Sequence, residues 1–227
     1  MHTFRSSADL AAALANETAN NLRAGLNDTG RASLIVSGGR TPLQFFAELA
    51  QTDLDWSGVD VFLADERWVP INSERSNAAL VKRHLLHGRA EKAVFSPLYS
   101  DTQTPREAAA RLTLHLANSR RPFDAVILGM GGDGHTASLF PDAPEIGSAL
   151  GAEAASAMVL TPASQPELRL SLTPSALTNT RFLALHIEGP EKREVFEKAL
   201  ELGDAEEMPI RAIMRNDIQQ TQVYWCP

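Results

Sequence analysis

Hydrophobic positions along this chain fall into two alternating rhythms. Over residues 6–27, Leu10, Leu14, Leu22 and Leu26 recur at multiples of four, which predicts a first helix with Ser6 or Ser7 as its cap. The run Ala32-Ser33-Leu34-Ile35-Val36 is too short for a helix and meets Ser37-Gly38-Gly39 at once, predicting a buried strand that ends in a glycine turn. Thr41-Pro42 then opens a second helix, with Pro42 expected at its first position, where a missing N–H costs nothing.

The pattern repeats down the chain. Val59 to Ala64 predicts a second strand ending at Asp65-Glu66-Arg67, and Asn77 is expected to cap a helix that Gly88 can stop. Thr104-Pro105-Arg106-Glu107 reads as a capping box that launches a helix to about Arg120. Ala125 to Leu128 predicts a third strand, running into Gly129-Met130-Gly131-Gly132-Asp133-Gly134-His135. Apolar runs at 157–160, 168–172, 181–187 and 222–225 are expected to complete the sheet. Strands alternating with helices predict a mainly parallel α/β sheet covered on both faces. The whole of 1–227 reads as one domain, with the Pro-, Ala- and Ser-rich segment 139–167 as a flap or small subdomain.

Such sheets bind ligands at the carboxyl ends of their strands. Ser37–Thr41, Asp65–Arg67 and Gly129–His135 each follow a predicted strand, so the sheet is expected to gather them along one rim.

Composition narrows the ligand. Lys plus Arg number 21 against 28 Asp plus Glu, a net charge of −7, which argues against a general nucleic-acid binder but leaves room for a local basic pocket. The single Cys226 cannot form an intramolecular disulfide, as expected of a protein in a reducing cytoplasm. The start of the sequence lacks the apolar core of a signal peptide, and no apolar run reaches the roughly 18 residues of a membrane span. The expected partner is therefore a small molecule, bound by a monomer or weak homo-oligomer.

Ser37-Gly38-Gly39-Arg40-Thr41 is a glycine turn running into a helix start, where free N–H groups attract anions. Taken alone, it reads equally as a plain strand-to-helix turn. Arg40 beside the positive end of a helix is unfavourable unless something negative lies there, which tilts the reading toward an anion. Lys192 repeats that arrangement in Gly189-Pro190-Glu191-Lys192-Arg193, although Glu191 and Glu194 can offset it and a solvated helix face is the simpler reading of this segment. Arg169 and Ser171 share one face of Leu168-Arg169-Leu170-Ser171-Leu172. Together, Arg169, Lys192 and the Ser37–Thr41 loop suit a phosphate dianion, which favours several charge-assisted hydrogen bonds.

Gly129 to Gly134 literally matches the dinucleotide fingerprint G-x-G-x-x-G. That fingerprint needs a helix lying along the sheet, and here barely five residues separate Gly134 from Pro141, so the reading is rejected. His135 is better read as a base. An ordinary imidazole titrates at about 6.5 and is largely free to take a proton near neutrality. Asp133 or Asp65 can orient it. The other histidines lack metal-ligand spacing and there is no paired-cysteine motif, so the sequence gives a metal site no support. A serine nucleophile at Ser37 lacks the G-x-S-x-G elbow.

Three blocks, in order and spacing, resemble the 6-phosphogluconolactonases of the glucosamine-6-phosphate isomerase superfamily. They are Ser37-Gly38-Gly39-Arg40-Thr41-Pro42; Asp65-Glu66-Arg67-Trp68-Val69-Pro70 with Ser76-Asn77; and Gly129 through Pro141, with Gly-Asp-Gly-His-Thr-Ala-Ser-Leu-Phe-Pro as its most specific part. The resemblance implies a three-layer α/β/α sandwich with a Rossmann-like sheet. It also implies hydrolysis of 6-phospho-D-glucono-1,5-lactone without a cofactor. It further implies His135 as base, Asp65 and Arg67 beside the lactone, and the Ser37–Thr41 loop with Arg169 and Lys192 on the phosphate. Asn77, Gly131, Asp133 and Gly134 complete the implied site. Where these relatives often carry serine, Arg40 stands here. The related deaminases carry an asparagine–glutamate pair after the histidine, and the matching positions here are Leu139 and Phe140, which removes a proton-transfer group and favours the lactonase. A non-catalytic sugar-phosphate sensor is the alternative outside enzymes. Such a module keeps the anion cradle but has no need of His135 beside Asp65.

Overall fold

A computed structural model describes residues 1–227, and its centre is a sheet of seven strands, all parallel. In chain order its strands are β1 (His2–Thr3), β2 (Ala32–Val36), β3 (Val59–Leu63), β5 (Val94–Phe95), β6 (Ala125–Leu128), β9 (Leu183–Glu188) and β10 (Thr221–Cys226). They lie side by side as β1-β10-β9-β6-β2-β3-β5. The remaining strands are β4 (Asp65–Arg67), β7 (Ala157–Leu160) and β8 (Arg169–Leu172), which pair antiparallel as β4-β8-β7.

Every residue of β2 and of β6 is buried, as a strand covered on both faces requires. The covering helices are α1 (Ser7–Thr29), α2 (Leu43–Ala50), α3 (Asn77–His84), α4 (Pro105–Asn118), α5 (Ile146–Leu150), α6 (Pro174–Leu177), α7 (Pro190–Leu200) and α8 (Ile210–Met214). The spacing that predicts α1 is the spacing that buries it: Leu10, Leu14 and Leu22 are fully enclosed. Ser6 accepts the Asp9 amide at its start, and Gly30, at φ +73°, ends it in the left-handed conformation that glycine adopts without penalty. At α4 the capping box forms in both directions between Thr104 and Glu107, with Pro105 at the first position.

Chain order and spatial order part company between β2 and β6. From β2 the chain runs outward to β3 and β5, whereas β6 leads the other way to β9 and β10. This reversal opens a crevice at the carboxyl ends of β2 and β6, the place where open α/β sheets receive ligands.

Four expectations are corrected. The runs at 157–160 and 168–172 do not extend the central sheet; they form the separate antiparallel one, and Asp65-Glu66-Arg67 is its third strand rather than a strand end. The change of sheet occurs at Ala64, whose N–H bonds to Val36 in the central sheet while its carbonyl accepts the Leu172 amide. Ser76, not Asn77, caps α3, and the helix ends at His84, before Gly88. Pro42 sits one place earlier than expected, as the flanking residue whose carbonyl accepts the Phe46 amide. No helix follows Gly134 before Pro141. The segment expected as a flap has a small apolar core of its own, with Leu139, Phe140, Ile146 and Leu160 packed together under the antiparallel sheet.

Thr104→Ala removes a cap remote from the crevice. Urea unfolding should show a loss of about 1 kcal/mol, as for other lost helix caps.

Candidate active site

The crevice is a cavity of about 310 Å³ whose walls come from both sheets and from the loops at their junction. Ser37, Gly38, Gly39, Thr41, Asp65, Arg67, Asn77, Gly131, His135, Arg169 and Lys192, all expected from the sequence, line it. Three expected residues lie outside the wall. Arg40 is exposed beside the loop, Asp133 stands behind His135, and Gly134 shapes the turn.

The junction is held by Asp65. Its carboxylate is buried, accepts the Ser138 hydroxyl at 2.5 Å and the Asn77 side-chain amide at 3.3 Å, and its carbonyl accepts the same amide at 2.9 Å. Ser138 in turn donates its N–H to the Ser171 hydroxyl of β8. One acid therefore joins β4, α3 and the loop after β6. Beside it, fully buried Glu66 accepts four bonds, from the amides of Arg67, Asn77 and Ala78 and from the Ser76 hydroxyl. Burial pushes its pKa up, with the nearby charge of Asp65 acting the same way, against the lowering effect of those hydrogen bonds. Its position at the start of α3 suits an anion at a helix N-terminus.

Loop 129–135 is wound tightly. The Gly131 amide donates to the His135 carbonyl at 2.8 Å, and a Cβ on Gly131 would lie 2.1 Å from the imidazole, so only glycine fits. Gly134 at φ +80° completes the turn. The Asp133 carboxylate accepts from His135 Nδ1 at 2.5 Å and from the His135 backbone amide at 3.1 Å. Burial alone would raise the Asp133 pKa, but the hydrogen bond and charge of His135 outweigh it and hold the carboxyl below its ordinary range. A charged Asp133 fixes the proton on Nδ1 and leaves Nε2 without a protein partner.

His135 stacks on Phe140, with ring centroids 4.0 Å apart, and the Arg169 guanidinium lies 5.6 Å from the same phenyl ring. Imidazole and guanidinium are thus separated by at most the sum of those distances, within reach of a single hexose phosphate. Arg169 is 3% exposed and directly opposite Arg67 in the β4–β8 pair, an unfavourable placement for two like charges. Burial lowers the Arg169 pKa, with Asp65 opposing the shift, yet a guanidinium stays charged. Lys192 makes no ion pair. Arg67, Arg169 and Lys192 face the cavity against the single carboxylate of Asp65, an excess of positive charge in a chain whose net charge is −7.

The pattern of missing hydrogen bonds is more telling. Buried side-chain atoms without any partner are Ser37 Oγ, Arg67 Nε, Asn77 Oδ1, Arg169 Nε, His186 Nδ1 and Thr18 Oγ1, and all but the last belong to residues that line this one cavity. Buried polar groups are normally satisfied, so such clustering marks a ligand site. No group of three or more His, Cys, Asp or Glu side chains is arranged to hold a metal ion.

The family described as glucosamine-6-phosphate isomerases/6-phosphogluconolactonase matches residues 5–225. The chain belongs to this family. It is 44% identical over 228 residues to a 6-phosphogluconolactonase of Rhizobium meliloti (strain 1021), covering 100% of this chain and 98% of that one. A 6-phosphogluconolactonase of Pseudomonas putida is 42% identical, with 100% and 93% covered. Among solved structures, a 6-phosphogluconolactonase from Shewanella baltica OS155 superposes with a TM-score of 0.95 at 40% identity, covering 99% of this chain and 96% of that one. The parallel sheet, its flanking helices and the small antiparallel flap are the family's α/β architecture.

Beyond the motifs that mark this family, the cavity wall includes Phe46, Gln165 and His186. Gln165 has no local signature, and its place follows from its 2.6 Å bond to Arg169. His186 had a signal: it shares a strand face with Glu188, two residues on, which accepts its Nε2–H at 2.9 Å.

A Cβ on Gly38 would lie 1.9 Å from Asn77 Oδ1. Gly38→Ala should therefore push Asn77 off Asp65 and cost about 1–3 kcal/mol of folding stability, measurable by thermal unfolding.

Proposed function

We propose that this enzyme hydrolyses 6-phospho-D-glucono-1,5-lactone to 6-phospho-D-gluconate, the second step of the oxidative pentose phosphate pathway, with His135 as general base. Family membership and the activity named for relatives at 40–44% identity over the full chain support the reaction. The observation that carries the residue roles is the stack of His135, Phe140 and Arg169. It sets an imidazole with a bare Nε2 within one hexose phosphate of a cationic wall.

The phosphoryl group rests on Arg169, Lys192 and the Ser37–Thr41 loop, where Gly39 at φ +97° lets the backbone approach. A dianion there relieves the repulsion between Arg67 and Arg169. Thus tethered, the lactone carbonyl is held beside a water that Nε2 of His135 can deprotonate. As the proton passes to Nε2, the water oxygen bonds to C1 and the carbonyl electrons move onto its oxygen. Collapse of that oxyanion breaks the bond from C1 to the ring oxygen, which takes the proton back from Nε2. Charged Asp133 stabilises the imidazolium in between.

The oxyanion needs donors. The Gly131 and Gly134 amides are spent inside the loop, on His135 and Gly131 carbonyls. Arg67 and the Gly132 amide, which donates to no protein acceptor, are the groups left to serve. Asp65 acts by holding Asn77 and Ser138 in register. Tethering by a remote phosphate contributes capture and orientation, and the base contributes the chemical step.

His135→Ala should lower kcat by about 10²–10⁴-fold while leaving the unfolding midpoint nearly unchanged, because the ring is partly exposed. Lactone freshly generated and followed by NMR, with spontaneous opening subtracted, gives the rate. Hydrolysis by the variant at the unaltered rate would remove His135 from this role.

A further inference from the structure

A second carboxylate–imidazole pair borders the same cavity. His186, on β9, is 3% exposed and lines the wall beside Phe46, with its ring edge-on to Phe45 of α2 at 6.4 Å. That contact sets the ring against the layer in which the Ser37–Pro42 loop runs into α2. Nε2 bonds to Glu188 Oε1 at 2.9 Å, and the same carboxylate oxygen accepts the Ser7 hydroxyl at 2.9 Å. Nδ1 has no partner at all. Leaving a buried polar nitrogen unpaired costs about 1–3 kcal/mol, a cost that a ligand atom could remove.

We propose that His186 is a further phosphoryl-binding residue, which takes up a proton as the phosphorylated ligand binds and donates Nδ1–H to a phosphoryl oxygen. The inference rests on the proposed function only in placing the phosphoryl group at the Ser37–Thr41 loop. An anion demands a donor at Nδ1, and since Nε2–H is already committed to Glu188, the ring can offer one only as imidazolium. Its surroundings favour that form. The hydrogen bond from His186 holds the Glu188 carboxyl below its ordinary range, so a full negative charge sits on the far side of the ring. Tyr224, its register partner on β10, is pushed up to about 12 by burial and by Glu17 of α1, and stays a neutral phenol. Cys226 is likewise raised, by burial and Glu188, and stays a thiol. Phe45 and Phe46 present no charge, and β6 faces the ring's strand with Val126, Ile127 and Leu128. Lys192 of α7 faces the same cavity from a neighbouring element, with Arg67 and Arg169 on the antiparallel sheet, and these cations oppose protonation until the dianion arrives. Proton balance is simple: one proton comes from solvent on binding and returns on release.

The test measures binding without turnover. Sorbitol 6-phosphate, a hexitol phosphomonoester with no carboxylate to perturb His135, is titrated calorimetrically at pH 7.5 in buffers of different ionisation heat. Its phosphate, with a second pKa of about 6, is already a dianion there, so any proton uptake belongs to the protein. The unaltered chain should show a net proton uptake on binding. His186→Gln keeps a donor toward Glu188 but empties the Nδ1 position. It should bind about tenfold more weakly or worse, in line with a lost charge-assisted bond, and take up no proton. His186→Asn places an amide N–H near Nδ1 and should recover part of the affinity, still without uptake. In lactone turnover, His186→Gln should raise KM and spare kcat.

Unchanged affinity and proton uptake in His186→Gln would overturn the proposal and leave the lactonase reading intact. Loss of lactone hydrolysis from the unaltered chain would do the reverse. Should His186→Gln fail to fold, Glu188→Gln retains the ring and removes the charge that supports imidazolium. Proton uptake that persists undiminished in Glu188→Gln would equally overturn it.

Discussion

The buried carboxylate of Asp65 is the constraint on which this site depends. It sits one residue past Ala64, where the chain leaves one sheet for the other, and it binds Asn77 from α3 and Ser138 from the loop that carries His135. A carboxylate so enclosed is tolerable only when its lone pairs are filled, and filling them fixes three separately coded segments against one another. Arg67, Asn77 and His135 are aligned as a consequence. Gly38 matches this arrangement from the opposite side, since any side chain there would displace Asn77.

On this frame charge is distributed unevenly. The chain as a whole is acidic, yet its cavity sets three cations against one acid and leaves nitrogen and oxygen atoms of five lining residues unpaired. Those deficits are the complement of a polar anion. At the other end, Asp133 accepts from His135 Nδ1 and leaves Nε2 without a protein partner. The proposed mechanism gives binding and chemistry to different groups within a space set by the rings of His135 and Phe140 and the guanidinium of Arg169.

Much of this was legible in the sequence, for identifiable reasons. Strands β2 and β6 are buried on both faces and so read as unbroken apolar runs; α1 and the Thr104 capping box carry local signals that tertiary context does not override. Ser37, Gly38, Gly39, Thr41, Gly131 and His135 followed from strand-end placement, whereas Asn77, Arg169 and Lys192 needed charge arguments or the family resemblance. The antiparallel sheet was not legible, because β4 is three consecutive charged residues whose burial depends on Ser138, Ser76 and α3, all distant in sequence. Arg40, a cation at a helix start that tilted the reading toward an anion, is exposed and lies outside the cavity wall. His186 was passed over because a lone histidine in an apolar strand has no motif. Only its alternation with Glu188 and the register of β9 on β10 reveal the pair.

The most direct test of the central claim is a crystal structure of the chain with 6-phosphogluconate bound. The account predicts the phosphoryl group against Arg169, Lys192 and the Ser37–Thr41 backbone, with the C1 carboxylate within hydrogen-bonding distance of His135 Nε2. A ligand bound end for end, with its phosphoryl group on His135, or one seated outside the crevice between β2 and β6, would contradict it.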